Sequence, residues 1–319
     1  MKQLFYILFF SLHFYVVVLA QANQAITNRL CPGRFGDKIV YYAVAKWISH
    51  KFTLPFFLKP FEYSSLLRLG KEEKKYSDNM LQKFKDGLQK IKSEQDVIIH
   101  AANNVLFEFD KHFYVNGSHR KEDWLRHIIK DQQFMRKLKY MLYPALSLMQ
   151  IKLPLNKITV AVHIRKGGGV DKPLYSMQYY ANRIEPYADK QWPRKFPPEQ
   201  YYVDQIKKIS HLFDERPLFV YLFTDDENQR QLVNRMKKAV NKSNITFACR
   251  EKISFHKTYV VEDFYNMAQF DCLIRPDSCF SMAAQLLGNH KVIILPKHAK
   301  WEGEKLIIDE VAVIDNRIN

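Results

Sequence analysis

A chain of 319 residues, 47% hydrophobic and 26% charged, has the composition of a folded globular protein and the length for two domains, each with its own core, so disorder is excluded as its organising state. The formal net charge of +16 favours anionic partners: nucleic acid, anionic membrane or a nucleotide-bearing small molecule. With no long Lys/Arg block and no zinc-finger, basic-zipper or RNA-recognition signature, a generally basic surface explains that charge better than a nucleic-acid groove, and no nucleic-acid partner is expected.

None of the four cysteines, Cys31, Cys249, Cys272 and Cys279, belongs to a C-x-x-C pair, which argues against a thiolate metal site. Cys272 and Cys279 read as small buried hydrophobes, and a bridge between Cys31 and Cys249 stays open for an oxidising compartment.

Residues 4–20, LFYILFFSLHFYVVVLA, are almost wholly apolar and stand apart from the fold. Small residues at their end suit signal-peptidase cleavage, while their length also suits a short uncleaved anchor, so residues 1–24 read as signal peptide or membrane anchor. The glycine turn at 33–36 then feeds apolar residues at helical spacing over 39–48, a loop leading into a helix N-terminus that would attract anions. An ordinary turn and cap explains a lone G-x-x-G equally well. A strand and loop are expected over 52–69, a solvated Lys-rich helix or loop over 71–92, and a short buried strand at 97–100. Amphipathic helices are expected over 119–150 and end near Pro154, the expected boundary between a domain of 25–154 and one of 155–319.

The second half is organised around 158–169, ITVAVHIRKGGG. Five apolar or β-branched residues predict a buried strand; His163 and Arg165 arrive where it ends, and three glycines follow. A loop-rich insertion is expected over 170–198, then helix 199–212, strand 218–223, helix 228–240, strand 245–249, helix 262–270, strand 272–274, a turn at 275–279, helix 280–287 and strand 291–295. Strands alternating with helices predict a doubly wound parallel sheet.

In such a sheet the strand ends share one edge, where ligands bind. Three of them carry polar residues: His163 and Arg165; Thr224, Asp225 and Asp226; Asp277, Ser278 and Ser281. An Arg fork, glycine-loop N–H groups and a Ser-capped helix N-terminus suit a diphosphate, and a carboxylate suits a purine edge or ribose hydroxyls. Each has a structural rival, since His163 serves equally as a core histidine and Asp225, Asp226 or Ser278 as helix caps.

At these residues a family resemblance enters. Gly33-Arg34-Phe35-Gly36-Asp37-Lys38 with Tyr42-Ala43 resembles the G-x-x-G-N-Q…Y-A opening of the α1,2-fucosyltransferases, and His163-Ile164-Arg165-Lys166-Gly167-Gly168 resembles their H-x-R-R-G-D motif. Phe196-Pro197-Pro198-Glu199-Gln200-Tyr201-Tyr202 resembles the segment that ends in Tyr-Tyr at a helix start. Phe223-Thr224-Asp225-Asp226 resembles the F-S-D-D strand end, and 263–269 with 277–281 the D-x-x-x-M-x-x…N-S-S-F-S block. The matches run in family order from residue 33 to about 288.

The resemblance implies a GT-B-like α/β fold: two Rossmann-like domains with an interdomain cleft, an acceptor-side domain over 25–154 and a donor domain over 155–319. It implies inverting transfer of fucose, or a related sugar, from GDP-fucose to a glycan hydroxyl, with no metal and no other cofactor. Arg165 would stabilise the departing β-phosphate, a role that preorganised charge serves well. His163 would support pyrophosphate or guanosine and Asp225 or Asp226 read guanine or ribose. Lys166, Thr224, Ser278, Cys279 and Ser281 would complete the donor site, with Gly36 and Asp37 edging it from the other domain.

The sequence departs from the family where Gly168 replaces the motif Asp, Asp37-Lys38 replaces Asn-Gln, Lys166 the second Arg and Cys279 the second Ser. Asp171 is the candidate replacement, and Asp171, Glu199 and His163 are candidates for the general base. The alternative is a catalytically inactive nucleotide-sugar- or glycan-binding protein of the same fold; a basic nucleic-acid-binding protein ranks third. An uncleaved segment 4–20 would make the membrane a partner. The protein would then be a type II Golgi enzyme in a eukaryote, with sequons at Asn116, Asn241 and Asn244, or a cytosolic domain tethered to the inner membrane in a bacterium.

Overall fold

The computed structural model describes residues 24–31, 33–100, 103–114, 121–166, 193–250 and 259–317. The apolar segment 4–20, the glycines at 167–169, Asp171, the Asn116 sequon and most of the 170–198 insertion lie outside the described residues. Among the described residues no helix is long and apolar enough to cross a membrane. The chain divides into two compact units, Met1–Ser147 and Leu148–Asn319, and each is an α/β structure with a parallel sheet.

In the first unit the strands β1 (Ala25–Thr27), β2 (Phe56–Phe57), β3 (Leu88–Ser93) and β4 (Leu106–Tyr114) lie in the order β2-β1-β4-β3, all parallel. Helix α1 (Phe35–Lys51) begins before its apolar run, so Gly36 and Asp37 occupy its first turn rather than the loop ahead of it. A carboxylate there complements the positive end of the helix. Ile39, Val40, Val44 and Ile48 are fully buried, and the Tyr42 hydroxyl donates to Glu73 at 2.8 Å while Lys46 pairs with the same carboxylate at 2.9 Å. The short helices α2 (Arg68–Glu72), α3 (Asp78–Leu81) and α4 (Glu94–Ile99) follow, and α5 (Lys121–Ile129) and α6 (Gln132–Leu142) take the amphipathic region.

Two expectations fail in this unit. The polar stretch 71–92 includes most of strand β3, and the apolar run at 97–100 belongs not to a strand but to α4. Asp96 accepts the backbone N–H groups of Lys92 at 2.6 Å and Ser93 at 3.1 Å, a capping box that starts a helix here. Only Val97 of the run is buried; Ile98 and Ile99 are 53% and 67% exposed, so the β-branched residues have no sheet to enter. Asp96→Ala is therefore expected to cost about 1 kcal/mol in chemical denaturation, the worth of a helix cap. An unchanged midpoint would show that tertiary packing alone holds α4.

The second unit has the sheet order β7-β6-β5-β8-β9-β10, from β5 (Ile158–Ile164), β6 (Leu218–Thr224), β7 (Ile245–Cys249), β8 (Cys272–Ile274), β9 (Val292–Glu302) and β10 (Lys305–Asp315). The first five in chain order run parallel and β10 closes the edge antiparallel. Helices α7 (Glu199–Leu212), α8 (Gln229–Val240), α9 (Tyr259–Met267) and α10 (Cys279–Leu287) connect the parallel strands, the doubly wound alternation that the apolar runs predict. Every residue of β5 is buried, as a central strand covered on both faces requires. The final strand is longer than 291–295: it continues through polar residues into a β9–β10 hairpin, turned at Gly303, whose φ of +60° favours glycine. All four cysteines are free thiols, so the Cys31–Cys249 bridge is not formed; burial pushes the Cys272 thiol up to about 12.

Candidate functional site

Strand order reverses between β5 and β8, the position where ligands enter an open α/β sheet beyond the carboxyl ends of its strands. Register brings the polar strand ends together, since Ile164 lies opposite Thr224 and Val162 opposite Ile274. Residues 165, 225 and 275 therefore follow three neighbouring strands at one edge.

The pleat then sorts them. Val160, Val162 and Ile164 join the apolar core with α7 and α8. His163 points to the opposite face, where its Nδ1 lies 2.9 Å from Ser281 Oγ and its ring centroid 5.5 Å from that of Phe280. Because the Ser281 hydroxyl donates to the Ser278 carbonyl at 3.3 Å, its oxygen is left to accept the Nδ1–H of His163. Burial lowers the His163 pKa to about 4, with the neighbouring Asp225 carboxylate pulling it up and the Arg275 guanidinium pushing it down. His163 is thus a neutral imidazole near pH 7.

Arg165 is 7% exposed, and its Nη1 donates to Asp225 Oδ2 at 2.9 Å. The other oxygen of the same carboxylate accepts the backbone N–H of Lys166 at 2.7 Å. A buried guanidinium needs such a counter-charge. Asp225 supplies it and also fixes the first residue of the loop after β5. The Lys166 ammonium turns to Glu199 at 2.8 Å, and Arg235 binds that carboxylate through two N–H groups at 3.1 and 2.9 Å. Hydrogen bonding from Arg235 first, and from Lys166 after it, holds Glu199 down at about 2. This glutamate is charged throughout the physiological range.

Thr224 and Asp226 are used locally: Thr224 Oγ1 accepts the Asp226 N–H at 3.1 Å and Asp226 Oδ1 the Asn228 N–H at 2.8 Å, a turn leading into α8. Ser278 is the buried N-cap residue of α10, and Cys279 is the first residue of that helix. Gly36 and Asp37 lie in the other unit.

Arg275 and Arg235 are members of these networks that the sequence reading did not single out. Arg275 is 3% exposed at the end of β8, donating through Nε to Gln285 at 2.9 Å and through Nη1 to the Pro276 carbonyl at 3.1 Å. Its signal, an arginine directly after an apolar run, is the one that marked Arg165. Arg235 carried no signal, because it lies on a polar helix face. A cavity of about 820 Å³ borders Arg165 and Lys166 on the α7 side and runs beneath the β9–β10 hairpin. Among the described residues no group of three or more His, Cys, Asp or Glu side chains is placed to hold a metal ion.

No family model matches this chain, and no curated protein is detectably similar in sequence. Among solved structures the chain is similar to a mutant of FUT1 from Arabidopsis thaliana in complex with GDP, at 12% identity over 86% of this chain and 72% of that one, with a TM-score of 0.46. It is also similar to the fucosyltransferase NodZ from Bradyrhizobium (13% identity, 91% and 98% covered, TM-score 0.42) and to POFUT1 in complex with GDP-fucose (11% identity, 84% and 95% covered, TM-score 0.43).

Proposed function

We propose that the protein is an inverting glycosyltransferase of the α1,2-fucosyltransferase type, moving fucose or a related sugar from GDP-fucose to a hydroxyl of a glycan without a bound metal. The observation that carries this reading is Arg165, clamped by Asp225 at the carboxyl end of the central parallel strand, where strand order reverses and the N-terminus of α10 arrives. Cleavage of the donor's glycosidic bond leaves negative charge on the β-phosphate. A guanidinium already oriented by a carboxylate stabilises that charge without reorganising as it forms. Asp225 is then a positioning residue rather than a reader of guanine. Segment 4–20 would be the membrane tether or export signal of such an enzyme.

Of the three candidate bases, Glu199 is committed to Arg235 and Lys166, His163 is buried against Ser281, and Asp171 lies outside the described residues. That commitment favours a second reading, a protein that binds the nucleotide sugar without turning it over.

Both readings require GDP binding, and thermal shift across a panel of nucleotides tests it. A ligand at about a hundred times its Kd stabilises the folded form by about 2.7 kcal/mol, so GDP should raise the melting temperature and CDP and UMP should not. Release of GDP from GDP-fucose in the presence of glycan acceptors and a chelator separates transfer from binding. A melting curve indifferent to every guanine nucleotide would remove both readings.

A further inference from the structure

Ile98 and Ile99 end helix α4 at 53% and 67% exposure, and Leu88, the first residue of β3, is 39% exposed. Aliphatic residues scattered singly over a surface are ordinary; gathered at one place, they mark a surface that something else covers. Hydrogen bonds bring these three to one end of the first unit. The Gln24 amide donates to the carbonyl of His100, the residue after Ile99, and the Ala25 N–H donates to the Val105 carbonyl at 3.2 Å. The carbonyl of Gly87, just before Leu88, accepts the Leu106 N–H at 3.0 Å, and Asp86 exchanges two bonds with Asn104, at 3.0 and 2.8 Å. The apolar residues therefore lie at the amino edge of the sheet, where β1, β3 and β4 begin, and the exposed Lys83 and Lys85 stand in the segment that leads into it.

The apolar run 4–20 ends at that same edge. Its last residue precedes Gln24 by four positions, which span about 14 Å at full extension. A run embedded in a bilayer would therefore hold the amino edge close to the lipid headgroups. Aliphatic side chains that enter the acyl boundary, with ammonium groups left at the level of the phosphates, are what such an interface favours. We propose that the amino edge of the first unit docks on an anionic bilayer, Ile98 and Ile99 entering the acyl boundary and Lys83 and Lys85 meeting lipid phosphates. This rests on the tether reading of segment 4–20 and is independent of sugar transfer. Arg34, Gly36 and Asp37 open α1 beyond the carboxyl end of β1, so the docked sheet keeps that edge turned towards solvent.

The test uses the full chain, reconstituted in phosphatidylcholine vesicles with and without phosphatidylserine and carrying the photo-crosslinking residue p-benzoylphenylalanine at position 99 or, on the opposite edge, at position 34. Illumination is expected to join position 99 to lipid and position 34 to none, with a higher yield when phosphatidylserine is present. With the probe at position 98, Ile99→Gln, which suits a helix and removes the aliphatic insert, should lower the lipid yield by about tenfold. Lys83→Glu combined with Lys85→Glu should abolish the gain from phosphatidylserine, circular dichroism confirming that the variants fold. Position 99 joined to no lipid, or to a second copy of the chain in place of lipid, overturns the docking face, as do variants that crosslink to lipid as the parent does. In those cases a chain that resists alkaline extraction with residues 1–20 intact by mass spectrometry leaves the tether reading standing. Loss of residues 1–20 from the membrane-bound chain overturns the tether reading and the docking with it.

Discussion

Arg165→Ala is expected to lower kcat for sugar transfer by about 10²- to 10³-fold, the loss that follows removal of one preorganised donor to a developing oxyanion. Asp225 keeps its bond to the Lys166 N–H and is 28% exposed on its side chain, so losing the arginine does not strand a fully buried carboxylate. The fold should therefore survive, and circular dichroism and the melting curve of the variant check that it does. Arg165→Lys discriminates further. A lysine restores charge but not the planar fork that Asp225 orients, so it should recover only part of the rate. If the protein binds the nucleotide sugar without turnover, the same substitution shows instead as weaker GDP binding. A variant with alanine at 165 that transfers sugar within threefold of the parent rate would dismiss the phosphate role for this residue.

What the sequence made legible was set by where burial alone decides. The run at 158–164 is apolar on both faces, and such a run has few homes other than the centre of a parallel sheet. His163 and Arg165 stand out because they interrupt it. Asp225 shows the limit: its position at a strand end is legible, but its engagement with Arg165 and Lys166 follows from the pairing of Ile164 with Thr224, and inter-strand register cannot be read from either strand separately. Lys166 likewise reads as a phosphate ligand until α7 brings Glu199 to it. At 97–100 the misreading has another cause, because a local cap at Asp96 outcompetes the strand preference of three β-branched residues that no sheet buries. The polar stretch 296–302 hid the hairpin, since an edge pair extending beyond the sheet has no core to impose a hydrophobic pattern.

Acidification is expected to destabilise the protein well before its carboxylates protonate, with His163 as the main cause. Burial holds this imidazole's folded-state pKa at about 4, against an ordinary value of 6.5. Below pH 6.5 the unfolded chain takes up a proton that the folded chain refuses, so stability falls from there until the folded state also protonates near pH 4. The gap is worth about 3 kcal/mol in all. Glu199 acts later: its folded value of about 2 lies below the ordinary 4.5, so its contribution is intact above 4.5 and is lost as the pH drops through 2. The two windows therefore barely overlap, and denaturation midpoints between about pH 7 and pH 4.5 report mainly on the histidine. His163→Asn supplies an amide N–H where Nδ1–H meets Ser281 Oγ and cannot titrate. Whatever it costs at neutral pH, it should flatten this leg of the profile, and an Asn variant whose stability falls as steeply as the parent's would place the acid-sensitive group elsewhere.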